Sequence, residues 1–185
     1  ENDGSEVFTK HVISSPYNPL HVHAADVNGD GNMDVLSASR YDDKIAWYEN
    51  NGSEVFTEHV ISDSADYAKF VHVADVDGDG DMDVLSASQN DDKIAWYENN
   101  GSENFTEHVI STSADYAIRV HAVDVDGDGD MDVLSSALYA NEIAWYENDG
   151  SEVFTKHVIS SPYNPLHVHA ADVNGDGNMD VLSAS

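Results

Sequence analysis

The sequence predicts an all-β protein, a β-propeller-type array of four-stranded antiparallel blades. Three observations predict it: the chain repeats itself about every 49 residues, each repeat has a side-chain period of two, and no segment carries a helical stripe. The phrase G-S-E-x-F-T recurs from Gly4, Gly52, Gly101 and Gly150. Trp47, Trp96 and Trp145 keep step with it, as do Asp26, Asp75, Asp124 and Asp172. The units run approximately over 4–51, 52–100, 101–149 and a partial 150–185, about 3.75 units in a single repeat array of 185 residues.

Within the first unit, Val7 to Ile13 is rich in β-branched and aromatic residues and predicts a strand. His21–Ala25, Met33–Ser39 and Lys44–Glu49 follow as three more. Turn chemistry separates them: Pro16 and Pro19, Asn28-Gly29-Asp30-Gly31, Tyr41-Asp42-Asp43, and Asn50-Asn51-Gly52. Four short strands in one such repeat is the arithmetic of a propeller blade. Fifteen strands are expected, because the chain begins on the outermost strand of one unit and stops after the second strand of another. Common rings need more blades, so the array is read as part of a larger ring or as an open repeating assembly. Residues 1–39 and 147–185 are moreover identical, offset by 146. A recent duplication, an engineered copy and a window on a longer array with a three-unit period all fit that identity.

Composition narrows the partners. Lys and Arg number 7 against 36 Asp and Glu, for a formal net charge of -29. Phosphate recognition needs clustered Lys and Arg, so nucleic acid is excluded as a partner. No apolar run approaches the ~18 residues of a membrane-spanning helix, so no membrane insertion is expected. Such acidity often means disorder, but 41% hydrophobic residues are enough for a core. With no cysteine, thiolate metal sites and disulfides are excluded. The start at Glu1 without a signal peptide reads as a mature, trimmed or excerpted product.

Sixteen of the acidic residues lie in four loops of one pattern, D-x-[DN]-G-D-G-[DN]-M-D. Its oxygen-bearing positions are Asp26, Asn28, Asp30, Asn32 and Asp34; Asp75, Asp77, Asp79, Asp81 and Asp83; Asp124, Asp126, Asp128, Asp130 and Asp132; and Asp172, Asn174, Asp176, Asn178 and Asp180. Positions 1, 3 and 5 of a tight loop converge, glycine at 6 permits the turn, the carbonyl of position 7 turns inward and Asp at 9 closes the shell. An all-oxygen, multi-carboxylate set suits Ca²⁺, which takes six to eight hard ligands. One Ca²⁺ per loop, four in all, is expected. An EF-hand is excluded: Ser37 and Ser86 stand where its twelfth-position Glu belongs, and no helix flanks the loop.

Units of this length, with D-x-[DN]-x-D-G-x-x-D between two strands and I-A-W-Y-E-N at the close, resemble FG-GAP/VCBS repeats, the blades of integrin-α-type propellers. The resemblance covers the whole chain. It implies Ca²⁺-stabilised blades, extracellular or cell-surface location, and roles in adhesion, carbohydrate binding or scaffolding. It gives ligand roles to Asp26, Asn28, Asp30, Asp34 and their repeats, with a carbonyl from Asn32. Such propellers usually have seven blades, which this chain does not supply.

His11, His59, His108 and His157 share one position of the unit, and His23, His72, His121 and His169 another. Repetition implies packing, since repeated blades are expected to set these rings apart rather than around one ion; a zinc site is the lesser reading. The Trp-Tyr pairs at 47–48, 96–97 and 145–146 read as inter-blade core more than as sugar-stacking platforms. The unit is broken at Ser15–Leu20, Asp63–Phe70 and Thr112–Arg119, and again at Arg40-Tyr41 and its counterparts. Tyr17, Arg40, Tyr41, Tyr67, Tyr116, Arg119 and Tyr139 there form a candidate ligand surface. Asn51, Asn100 and Asn104 sit in sequons and are candidate glycosylation sites, although Asn-Gly at the first two also fits a type I′ hairpin turn.

No G-x-S-x-G elbow or unit-breaking Ser/His/Asp arrangement points to catalysis. The leading expectation is a non-enzymatic, calcium-binding, extracellular repeat module for adhesion or structural assembly, as filament or surface scaffold. Its partners are expected to be other copies or neighbouring repeats, with glycans or surface proteins as further candidates. The alternatives are a carbohydrate-binding propeller lectin and an accessory domain of a larger secreted enzyme.

Overall fold

The structure is a computed structural model that describes residues 1, 4, 5 and 7–185. Among the described residues there are fourteen strands: β1 Pro19–Ala25, β2 Asp34–Ser39, β3 Lys44–Asn50, β4 Phe56–Ser62, β5 Ala68–Ala74, β6 Asp83–Ser88, β7 Lys93–Asn99, β8 Phe105–Ser111, β9 Ala117–Val123, β10 Asp132–Ala137, β11 Glu142–Asn148, β12 Phe154–Ser160, β13 His167–Ala171 and β14 Asp180–Ala184. They form three four-stranded antiparallel sheets, β1–β4, β5–β8 and β9–β12, and a two-stranded sheet of β13 and β14. The first strands of consecutive sheets pack side by side, β1 on β5, β5 on β9 and β9 on β13, in an open array of blades. Among the described residues no helix is long and apolar enough to cross a membrane.

Three of the four strands expected in the first unit are present, and the fifteenth strand of the count is not. Val7–Ile13 is not a strand; only Phe8 makes an isolated bridge. Its counterparts β4, β8 and β12 each pair with the preceding β3, β7 or β11. Among the described residues the first copy has no third strand of its own sheet to pair with; Thr9 instead exchanges hydrogen bonds with Glu1, its N–H donating to Glu1 O at 2.9 Å, which is too little for a strand.

Period two decides which side chain faces which neighbour. In β7, Ile94 and Trp96 point into the core shared with the third sheet, while Ala95 and Tyr97 point into the core shared with the first. The second strand of each full sheet is covered on both faces, so even its serines are buried. Ser37 and Ser86 lie near the phenolic oxygens of Tyr48 and Tyr97, at 3.4 and 3.5 Å. Trp47 and Trp96 are buried, out of reach of a sugar, which bears out their reading as core.

The histidines of the outermost strand clip each sheet shut. His59 and His108 stack on Trp47 and Trp96 with ring centroids 4.5 Å apart. Their Nε2 atoms lie 2.9 and 2.8 Å from carboxylate oxygens of Glu49 and Glu98.

Candidate metal centre

The acidic loops join the first strand of each sheet to the second, where two β-strands converge on one end of the blade. In the second loop Gly78 and Gly80, both at positive φ, turn their N–H groups onto the carboxylate of Asp75 at 2.9 and 3.1 Å. Only glycine takes that conformation without a steric cost. The same double clasp holds Asp124 through Gly127 and Gly129, and Asp172 through Gly175 and Gly177. In the first loop Asp26 is clasped by Asp30 and Gly31. The loops are therefore wound by their own backbone around the first Asp.

Position 9 plays a second part that sequence reasoning missed. Asp83 is fully buried; its Oδ2 accepts from Val76 N at 2.8 Å and its Oδ1 from Asn99 N at 2.8 Å. Asp34 and Asp132 repeat this bridge with Val27 and Asn50, and with Val125 and Asn148. Each ties the loop to the third strand of its own sheet. Asn99 also donates to Met82 O and, across the blade boundary, to Val27 O. The signal was in the sequence: Asn50, Asn99 and Asn148 recur with the same period as the loops.

Carboxylate oxygens of Asp75, Asp77 and Asp83 lie within 4.8 Å of one another, and so do those of Asp124, Asp126 and Asp132. These are positions 1, 3 and 9. In the first and last loops Asn28 and Asn174 supply an amide oxygen at position 3. Positions 5 and 7 stand outside the carboxylate clusters. Asp79 accepts the N–H of Asp81 at 2.8 Å, and the side chain of Asp81 packs on Gly101 in the loop after β7. Asp128 and Asp130 repeat this arrangement with Gly150.

The electrostatics match an anionic pocket. Burial pushes Asp83 up to about 6, against the pull of its two backbone donors. Burial raises Asp132 as well. Asp77 is raised first by burial, with the charges of Asp79 and Asp75 adding to it. A cation there would relieve all three. Asp30, Asp172 and Asp176, held by backbone N–H groups at the surface, are instead lowered. The donor set is all oxygen, as hard divalent cations require.

The opposite end of the blades carries most of the candidate ligand surface. Tyr17 and Tyr41 lie 5.3 Å apart, and Tyr41 meets Tyr67 edge-on at 6.4 Å. The guanidinium of Arg40 sits over both Tyr41 and Tyr67, at 4.6 and 4.1 Å from the ring centroids. Tyr116 and Tyr139 form a second pair at 4.1 Å. Tyr67 and Tyr116 take positive φ, held by Asp43 and Asp92 of the preceding sheet, which accept their N–H groups at 2.9 Å. Arg119 departs from this group; it stacks on Phe70 at 4.4 Å, on the inner strands.

On those inner strands the expected separation of the histidines is overturned. His23, His72, His121 and His169 form a continuous row, with successive centroids 5.3, 4.8 and 4.7 Å apart. The first strands pack side by side, so one register position repeats at contact distance rather than across a blade. Burial lowers His23, and it lowers His72 and His121 to about 3 and 4, with neighbouring imidazoles adding to the latter two. His21 beside the row, stacked on Phe70 at 3.6 Å, is lowered to about 4 by burial and by Arg119.

The sequons fall in five-residue connections, 51–55 and 100–104, not in two-residue type I′ turns. Asn51 and Asn100 accept the N–H groups of Ser53 and Ser102, and Asn104 is exposed beside them. Within these connections Gly52 and Gly101 lie against Asn32 and Asp81 of the acidic loops.

No curated protein matches the sequence. Among solved structures, the Vibrio cholerae biofilm matrix protein Bap1 superposes with a TM-score of 0.52 at 22% identity, over 91% of this chain and 28% of that one. BBS1N, in its complex with ARL6DN, superposes with a TM-score of 0.56 at 14% identity, over 85% of this chain and 48% of that one. The chain thus spans less than half the length of either, and the likeness is one of fold. The pattern of the FG-GAP-like repeat matches residues 26–86, 75–135 and 136–183. With matches running from residue 26 to residue 183, the chain belongs to the FG-GAP-like repeat family.

Proposed function

We propose that the chain is a calcium-binding, non-enzymatic, extracellular repeat module for adhesion or structural assembly. The observation that carries this reading is the convergence of Asp75, Asp77 and Asp83, and of Asp124, Asp126 and Asp132. In each loop the residues at positions 1, 3 and 9 would hold one Ca²⁺, whose charge offsets repulsion among carboxylates in a small volume. Because position 9 also ties the loop to the sheet, ion binding is coupled to blade stability. The fold is shared with a biofilm matrix protein, which supports a structural role outside the cell. Exposed apolar residues on the outer faces of the first and last sheets, Val22 and Leu20 at one end and Val173 and Leu182 at the other, suit cover by neighbouring repeats or another copy.

Calcium removal tests the reading. Extracellular Ca²⁺ modules bind at about 10⁻⁴–10⁻³ M, so excess EGTA should lower the melting temperature and millimolar Ca²⁺ should restore it. An unchanged melting temperature on chelation, together with no heat on calcium titration, would sink it.

One observation favours a second reading, a glycan-binding surface. Arg40 lies between two tyrosine faces, and among the described residues it makes no ion pair, whereas Lys44, Lys93 and Lys156 are each paired with carboxylates. Binding on a glycan array that is lost in Tyr41→Ala would establish it, and an array blank with calcium present would remove it.

A further inference from the structure

The inner edge of the array carries a group of side chains that the calcium reading does not use. His23 on β1, His72 on β5, His121 on β9 and His169 on β13 occupy one register position each and stand in a row. Among the described residues their ring nitrogens make no hydrogen bond. His23, His72 and His121 are half-buried and His169 is exposed, so the row is open to a small solute. In a protein with 36 acidic residues, the charged groups that act on His72 are His121, His23, His21 and His169; those acting on His121 are His169, His167 and Arg119. No carboxylate is among them.

We propose that this row is a binding site for a borderline divalent transition-metal ion, of the Ni²⁺, Cu²⁺ or Zn²⁺ class, each ion held between two neighbouring imidazoles. Geometry favours it. Two imidazoles bound to one tetrahedral ion at a metal–nitrogen distance of ~2.0–2.1 Å place their ring centroids about 5 Å apart. The three neighbouring pairs here stand at 5.3, 4.8 and 4.7 Å. Binding then requires each pair of rings to turn one nitrogen lone pair toward a common point. Burial keeps His72 and His121 neutral near pH 7, the form that binds metal. Imidazole suits borderline metals and Ca²⁺ prefers oxygen, so the row and the acidic loops sort cations by ligand chemistry. Four rings make two pairs, His23 with His72 and His121 with His169, hence two ions per chain. Each ion keeps open positions for water, which makes it exchangeable.

The test is Ni²⁺ titration of the whole chain with its loops saturated by millimolar Ca²⁺, followed calorimetrically and by paramagnetic broadening of histidine side-chain resonances. Two Ni²⁺ should bind, broadening the signals of His23, His72, His121 and His169 before those of His59 and His108. His72→Phe should reduce the stoichiometry to one, and His72→Phe with His121→Phe should abolish binding. Should the phenylalanine variants fail to fold, His23→Gln and His169→Gln at the two ends of the row should each remove one ion while leaving the melting temperature intact. His11→Ala serves as control, because Glu1, His11 and Glu54 form a separate exposed group. Absence of Ni²⁺ binding in calcium, binding lost in His11→Ala, or full stoichiometry in the variants of the row would each overturn the proposal.

Discussion

In the last unit, Phe154–Ser160 is strand β12, paired along its length with β11. The identical residues 8–14 of the first unit form no strand. The two copies differ again one strand later, in opposite senses. Val168, facing the sheet before it, is 2% exposed and its twin Val22 63%; Val27, facing the sheet after it, is 2% exposed and its twin Val173 64%. One sequence thus carries two complementary half-interfaces, and each becomes a core only where a neighbouring sheet supplies the other half. Blade structure here is a property of the pair, as expected for repeats whose stability is a sum of unit and nearest-neighbour terms.

That comparison can be broken at matched positions, where sequence context is held constant and only the neighbour differs. The largest effect is expected at the ninth loop position. Asp34 is buried and accepts from both Val27 N and Asn50 N, whereas Asp180 accepts from Val173 N alone, at the surface. Leaving two buried N–H groups unpaired costs roughly 1–3 kcal/mol each. Asp34→Ala should therefore destabilise the 185-residue chain by about 2–6 kcal/mol in urea titrations, and Asp180→Ala by about 1 kcal/mol or less. Equal losses would mean that the ninth Asp acts only as an ion ligand, alike in both loops.

A smaller contrast is expected between Leu36 and Leu182. Leu36 is fully enclosed in the core shared by the first two sheets, while Leu182 is 42% exposed. Cutting a buried leucine to alanine costs about 2–5 kcal/mol through lost transfer energy and the cavity left behind. Leu36→Ala should fall in that range and Leu182→Ala well under it. If concentrated protein equalises the two, another chain is covering the last sheet, and sedimentation of the same samples should show the association.

How far the sequence foretold this depends on the range of the interaction. The acidic loops, the strand positions and the buried Trp47 and Trp96 were legible, because each depends on local turn chemistry or on a period-two pattern. The missing first strand was not, since Val7–Ile13 has full β-propensity and lacks, among the described residues, only the third strand that its later copies pair with. The histidine row was misjudged for the same reason. Spacing along the chain says that His23 and His72 are a full unit apart, and only the side-by-side packing of β1 and β5 puts their rings in contact. The clamp between Asp43 and Tyr67 escaped notice because it joins two sheets through a backbone N–H, which leaves no mark on residue type at the receiving end.

The smallest expected effect isolates the clip on the outermost strand. His157 lies over Trp145 at 4.8 Å, and its Nε2 is 2.6 Å from a carboxylate oxygen of Glu147. Its twin His11 has no tryptophan contact among the described residues; it pairs with Glu1 at 3.2 Å, beside Glu54. An exposed ion pair contributes about 0–1 kcal/mol and an aromatic stack about 0.5–1.5 kcal/mol beyond its area. His157→Ala should therefore cost roughly 1 kcal/mol or a little more, with faster amide exchange in β12. His11→Ala should leave both stability and exchange unchanged. His157→Phe separates the two contributions, because it keeps a ring over Trp145 and removes the contact with Glu147. A loss in His157→Phe as large as that in His157→Ala would show that the ring contact with Trp145 adds nothing beyond the contact with Glu147.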